Sequence, residues 1–162
     1  MIVTPLLVIF IIIVFIPTFL FVRTIDNRKW LTLVISIFLT PIIYFYAFYP
    51  MLNIFSSYHH QKYFDELSWK ELPELRYEML KNILETNVLI GMTKLQIKDT
   101  LGDYEWLGWD YETNSEDHNY WNYSIGIKPG AFNEHKEILS LHFKNDKVIK
   151  ITSSSEKIVY DN

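Results

Sequence analysis

Residues 139–153 read LSLHFKNDKVIKITS, and this stretch decides the fold class. Leu139, Leu141 and Phe143 alternate with Ser140, His142 and Lys144, the period of two that gives a strand one apolar face. Asn145-Asp146 supplies turn chemistry and the alternation resumes through VIKITS, so two strands are expected to close as a hairpin. Upstream, Trp121, Tyr123, Ile125 and Ile127 alternate with Asn122, Ser124 and Gly126 as a further strand, which Pro129-Gly130 ends. Between Tyr104 and Tyr120, WLGWD and the acidic run YETNSEDHN read as an edge strand or a loop that reaches solvent.

Such a sheet needs helices on its apolar face. Leu72, Leu75, Met79 and Ile83 recur at helical spacing, Ser68 and Glu71 suit a capping box and Pro73 suits a first turn, so a helix is expected over about residues 72–85. Thr93 and Gln96 have the spacing of a second capping box, Ile97 and Leu101 share a face, and Gly102 suits the left-handed position that ends a helix. Gly91 gives the chain freedom to turn in. The expected domain is α+β, two helices packed on one face of a small antiparallel sheet with the other face open.

The N-terminal third is of a different kind. Residues 2–22, IVTPLLVIFIIIVFIPTFLFV, carry no charge, and 21 helical residues reach about 31 Å, the thickness of a hydrocarbon layer. Residues 31–50 form a second uncharged run, with Trp30 at one end and Tyr44, Tyr46 and Tyr49 towards the other, where amphipathic rings favour the headgroup layer. The seven-residue charged connector 23–29 makes the pair a transmembrane hairpin, residues 1–53 with spans of about 2–22 and 31–52, followed by a polar juxtamembrane linker over 54–64 and the α+β domain over 65–162. Residues 1–4 have no Lys or Arg and nothing like A-x-A follows, so a cleaved signal peptide is not expected. Neither span holds an ionisable residue, which favours an anchor over an ion path. Pro17 and Pro41 lie inside the spans as tolerated or kinking prolines.

Of 34 charged residues, only Arg23, Asp26, Arg28 and Lys29 precede residue 50. Short-loop cations stay cytoplasmic, so this connector sets a multi-pass orientation in the cytoplasmic membrane with the C-terminal domain outside the cytoplasm. The remaining 12 Lys and Arg against 18 Asp and Glu leave the domain at −6, unsuited to a nucleic-acid backbone. There is no cysteine, which excludes disulfides, thiolate metal sites, a cysteine nucleophile and a lipidated cysteine. The abundance of Ile, Phe, Lys and Asn resembles an AT-rich bacterial coding bias.

The ordered pieces L-I-G-M-T (89–93), Leu101-Gly102, W-N-Y-S-I-G (121–126) and L-S-L-H-F-K-N-D-K-V (139–148) resemble the SmpA/OmlA family of BamE-like outer-membrane assembly lipoproteins, whose fold is shared with β-lactamase inhibitor protein. The resemblance covers about residues 89–153 and not the hairpin. It implies a non-enzymatic module outside the cytoplasm that holds another envelope protein with sheet and loops. Members of that group are tied to the outer membrane through a lipidated cysteine, where this chain has two apolar runs instead. The same resemblance allows an alternative, an inhibitor or immunity-type protein that plugs a toxin or hydrolase with its aromatic, acidic loop. A third reading makes the domain a spacer on a larger membrane complex.

The residues expected to carry partner binding are Trp106, Trp109, Tyr111, Glu112 and Asp117, because Trp and Tyr dominate protein interfaces and a domain this small needs only some of its rings inside. Trp121 and Tyr123 are assigned by alternation to the core. His59, His60, His118, His135 and His142 lack the spacing of a metal site. Asp110, Glu112, Asn114 and Glu116 alternate like half a calcium loop, but Ser115 holds the glycine position and Trp121 the position of the bidentate Glu. No nucleophile motif, HExxH or phosphate loop is present. Expected are no catalytic residue, no cofactor, no metal and no small-molecule substrate, with the lipid bilayer and another envelope protein as partners.

Overall fold

The computed structural model describes residues 1–56, 58–131 and 133–158. They form a hairpin unit over residues 2–60 and a sheet unit over residues 61–128 and 133–158. Two N-terminal apolar helices precede helices packed on a four-stranded antiparallel sheet, so the protein is α+β.

In the hairpin unit, helix α1 runs Pro5–Ile25. The Thr4 hydroxyl accepts from the Leu7 amide and Pro5 opens the first turn, where its missing N–H costs nothing. Helix α2 runs Lys29–Ile43, passes through a π-helical turn at Tyr44–Phe48 and continues as α3, Tyr49–Phe55. The π turn lies between Pro41 and Pro50, each of which removes a backbone donor and crowds the carbonyl four residues back, so the helical register slips by one residue between them. The expected seven-residue connector is three residues, because both helices extend into the charged segment. Asp26 closes it by accepting the Arg28 amide at 2.8 Å.

What the two helices hide is only in part hydrocarbon. The buried positions are Leu7, Val14 and Val22 with Thr18, Thr32, Ser36 and Thr40, while Ile12, Ile13, Ile16, Leu20, Phe21, Ile37, Phe38 and Ile42 are exposed. Each hidden hydroxyl donates back to a carbonyl at 2.7–2.8 Å: Thr18 to Val14, Thr32 to Asp26, Ser36 to Thr32 and Thr40 to Ser36. Small hydroxyl residues let two helix backbones approach closely. Pro5–Ile25 and the continuous helical run Lys29–Phe55 are each long and apolar enough to cross a membrane.

The expected linker is not a free tether. His60 is buried, its ring stacked on Tyr49 at 4.1 Å and its Nε2 2.9 Å from the Tyr44 hydroxyl. Tyr58 meets Phe10 edge-on at 4.9 Å. Tyr44, expected at a headgroup layer, is the hub of this cluster, whereas Tyr46 and Trp30 are exposed.

In the sheet unit the expected 72–85 helix is broken. Helix α4 spans Glu66–Glu71, a 3₁₀ turn Pro73–Leu75, and helix α5 Tyr77–Thr86. Pro73 forces Leu72 out of helical geometry (φ −126°, ψ 63°), and the cap of α4 is Asp65, whose carboxylate accepts the Ser68 amide at 2.8 Å. Helix α6, Lys94–Leu101, has the expected Thr93/Gln96 capping box. Gly102 ends it at φ 88° and ψ −174°, a glycine-only conformation that is not the expected left-handed one.

Strands β1 (Trp106–Asp110), β2 (Ser115–Gly126), β3 (His135–Lys144) and β4 (Lys147–Lys157) form a meander in that order. Asn145 and Asp146, both at positive φ, make the two-residue β3–β4 turn whose twist matches the strands. Strand β2 starts well before Trp121 and stops at Gly126, which leaves Ile127 exposed beyond its end. The core holds Met79, Ile83, Leu89, Ile97 and Leu101 against Trp121, Tyr123, Ile125, Leu139, Leu141, Phe143 and Val148. Trp69, fully buried, donates through Nε1 to the Leu101 carbonyl at 3.1 Å, and the Tyr123 hydroxyl donates to the Gly102 carbonyl at 3.1 Å. Burial pushes the Tyr123 phenol well above its ordinary range, which keeps it a neutral donor.

Candidate interaction surface

The β1–β2 ribbon carries all five residues expected to bind a partner, and its shape follows from one irregularity. Leu107 pairs with Trp121, but the next residue, Gly108, pairs with Asp117, so His118, Asn119 and Tyr120 have no partner on β1. A bulge of this kind leaves backbone groups to be satisfied by side chains. The His118 carbonyl accepts from Lys94 Nζ at 2.9 Å and from Trp121 Nε1 at 3.1 Å. Lys94 also donates to Asn119 Oδ1 at 3.0 Å, and the Asn119 amide donates to Asp117 at 2.8 Å.

The Tyr120 side chain packs on Gly108, where a Cβ would fall 2.0 Å from the tyrosine ring. Its other side stacks on His142 at 4.2 Å and 19°. Burial, and then Lys150, hold the His142 imidazole below its ordinary range, with Asp117 opposing. Beside this stack run Trp106, Asn122, Ser140 and Thr152, paired across four strands. Ser140 Oγ donates to Asn122 Oδ1 at 2.7 Å, and Lys136 Nζ sits 5.8 Å from the Trp106 ring centre. The face expected to be open is therefore closed at its centre. Asn122, Ile138 and Ser140 on it are buried, with the Tyr120–His142 stack and the Trp106–Lys136 contact on the same face.

Alternation along β1 separates the two candidate tryptophans. Trp106 pairs with Asn122 on that second face, while Trp109 shares the side of Leu107, which packs on the helix-covered core. Trp109 is 49% exposed and Tyr111, at the ribbon tip, 89%. Glu112 is exposed beside it, and Asp117, half-buried, is spent on the bulge. Trp109, Tyr111 and Glu112 are thus exposed within four residues of chain at the ribbon end, whereas Trp106 lies on the second face and Asp117 is half-buried at the bulge.

The tip is ordered from within. Asp110 accepts the Glu112 amide at 2.9 Å and the Thr113 hydroxyl at 2.7 Å, and Thr113 meets the Ser115 hydroxyl at 2.8 Å. Asn114 takes a left-handed conformation, φ 51°, that asparagine tolerates better than most side chains. The Thr113 hydroxyl and then the Glu112 amide hold the Asp110 carboxyl below the usual carboxylate range. Among the described residues no three His, Cys, Asp or Glu side chains are gathered as metal ligands.

Three features escaped the sequence reading. Lys94 gave no signal beyond following a cap. The Tyr120–His142 stack depends on a bulge that alternation cannot announce. Thr32, Ser36 and Thr40, at four-residue spacing in an otherwise apolar run, did carry a signal for the hairpin seam. Compared with protein-family models, curated proteins and solved structures, the chain matches none of them.

Proposed function

We propose that this protein is a membrane-anchored, non-enzymatic protein-binding module of the bacterial cell envelope, which holds another envelope protein through the tip of its β1–β2 ribbon. The observation that carries the reading is an ordered tip that presents Trp109 and Tyr111 to solvent. Rigid aromatic side chains on a pre-ordered turn lose little entropy on binding and supply the contacts that dominate interfaces. The apolar exterior and hydroxyl seam of the hairpin support a lipid surrounding. Arg23, Arg28 and Lys29 beside the connector support a cytoplasmic turn, with the sheet domain outside the cytoplasm in the inner membrane. A capped helix ending in glycine, then a strand ribbon and a hairpin, is also the order that the BamE-like resemblance implies.

The test places a photo-crosslinking residue at Tyr111 in the full chain in its native membrane. A discrete protein partner is expected, and Trp109→Ala with Tyr111→Ala should reduce its capture by about tenfold or more while domain stability stays within about 0.5 kcal/mol. Adducts with lipid alone would sink the reading. Unfolding of the double variant would assign the two rings to the core instead. The same tip supports a second reading, an inhibitor or immunity protein, and a stoichiometric complex with one secreted toxin or hydrolase would select it.

A further inference from the structure

At the connector end of the hairpin, Phe19 and Arg23 of α1 and Lys29, Thr32 and Leu33 of α2 line, with Asn27, a cavity of about 270 Å³. Phe19 and Arg23 are four residues apart, as are Leu33 and Lys29, so each helix turns one apolar and one cationic side chain to the same space. The cations of this segment are not equivalent. Arg28 lies outside the cavity and is neutralised by Asp26, Nη2 to carboxylate 2.8 Å and Nε at 3.2 Å. Among the described residues Arg23 and Lys29 make no ion pair, so the two cations that line the cavity, both exposed, carry the +2 of the segment. The Thr32 hydroxyl is committed to the Asp26 carbonyl, which leaves the Asn27 amide as the neutral polar group.

Two unpaired cations above an apolar wall suit an anion attached to a hydrocarbon body. A soluble anion would leave Phe19 and Leu33 wet, and a lipid of zero net charge, even one with a phosphate, would leave the +2 of the two cations unbalanced. We propose that this cavity binds the phosphate of an anionic phospholipid, with Arg23 and Lys29 on the phosphate and an acyl chain along Phe19 and Leu33. The proposal rests on the reading of the hairpin as membrane-spanning and is independent of what the β1–β2 tip binds.

Trp30, next to Lys29, is exposed and is the hairpin unit's single tryptophan, which makes it the reporter. The full chain is reconstituted in vesicles of phosphatidylcholine and phosphatidylglycerol, with bromine on the acyl chains of one lipid at a time. Trp30→Phe gives the signal from the other tryptophans. Brominated phosphatidylglycerol is expected to quench Trp30 as if enriched at least about fivefold over its mole fraction, the order one surface cation supplies. Arg23→Gln with Lys29→Gln should bring quenching down to the mole fraction, and Arg28→Gln should leave the enrichment intact. Inorganic phosphate at matched ionic strength should not displace it.

Quenching by both lipids in proportion to mole fraction overturns the site while leaving the membrane reading standing. So does an equal loss in Arg28→Gln, which would mean diffuse attraction to the whole segment. Displacement by free phosphate would reassign the cavity to a soluble anion. No quenching by either lipid would overturn the spanning hairpin and the site together.

Discussion

Along α2 the hidden positions are Thr32, Ser36 and Thr40 and the exposed ones Ile37, Phe38 and Ile42, whereas along β3 the hidden ones include Leu139, Leu141 and Phe143 and Lys144 is exposed. α2 thus hides hydroxyls and shows hydrocarbon, β3 hides hydrocarbon with Ser140, and α1, which hides Leu7, Val14 and Val22 with Thr18, lies between them. In water, burying apolar surface drives packing and polar groups stay outside. In hydrocarbon that force vanishes, and helices associate through close contact of small side chains whose hydroxyls bond inward. The burial along α2 is the kind that packing in hydrocarbon gives, and the burial along β3 the kind that packing in water gives.

The largest expected effect comes from the sheet unit. Leu139→Ala removes a fully buried side chain and should cost about 2–5 kcal/mol, read as a lower urea midpoint for the sheet unit of the full chain in detergent, with hairpin helicity retained. Retention of the midpoint would mean that this core is not what holds the sheet.

Nearly as large is the effect on the opposite unit. Phe38 is 72% exposed, so in water Phe38→Asp would be harmless or helpful, but in a bilayer it should cost about 3 kcal/mol of insertion. Extraction of the variant by alkaline carbonate, with the unaltered chain retained, is the expected outcome. An unchanged membrane fraction would break the comparison.

A smaller cost is expected at the ribbon. Gly108→Ala drives a methyl into the Tyr120 ring and should cost about 1–3 kcal/mol, seen in thermal unfolding and in the loss of ring-current shifts between Tyr120 and His142. Preservation of those shifts would show that the ring is not seated on the glycine.

The smallest is a pH effect confined to the sheet unit. His142 has a lowered pKa in the folded state, so below its unfolded value near 6.5 the unfolded chain binds more protons. Its contribution to stability is present above that value and is lost as pH falls through the lower, folded one. The thermal midpoint should fall slightly more between pH 7.5 and 5.5 in the unaltered chain than in His142→Gln. Equal slopes would place His142 in an unperturbed, solvated setting.

Much of the fold was legible because its signals are local. The Asn145-Asp146 turn, the Thr93/Gln96 box and the alternation of Leu139, Leu141 and Phe143 each reside within a few residues, and each took its expected form. The helix over 72–85 was misread where two local signals competed, since Pro73 can open a helix or end one, and Asp65 rather than Ser68 made the cap. Of the candidate site, the ring-rich ribbon was legible from composition. Its division was not, because the paired positions of β1 and β2 set the faces of Trp106 and Trp109.

The sequence by itself determined that the first third holds two uncharged runs long enough to span a membrane, that the remaining residues are acidic, and that the fold is α+β. Uncharged run length, net charge and periodicity depend on nothing outside each segment. Only the tertiary structure decided that Trp69 lies at the centre of the core, that Lys94 secures a bulge 24 residues away, that His60 packs against Tyr44, and that Tyr111 faces solvent. Those outcomes depend on which distant backbone and side-chain groups are left unsatisfied once strands and helices have met, and chain neighbours carry no record of that.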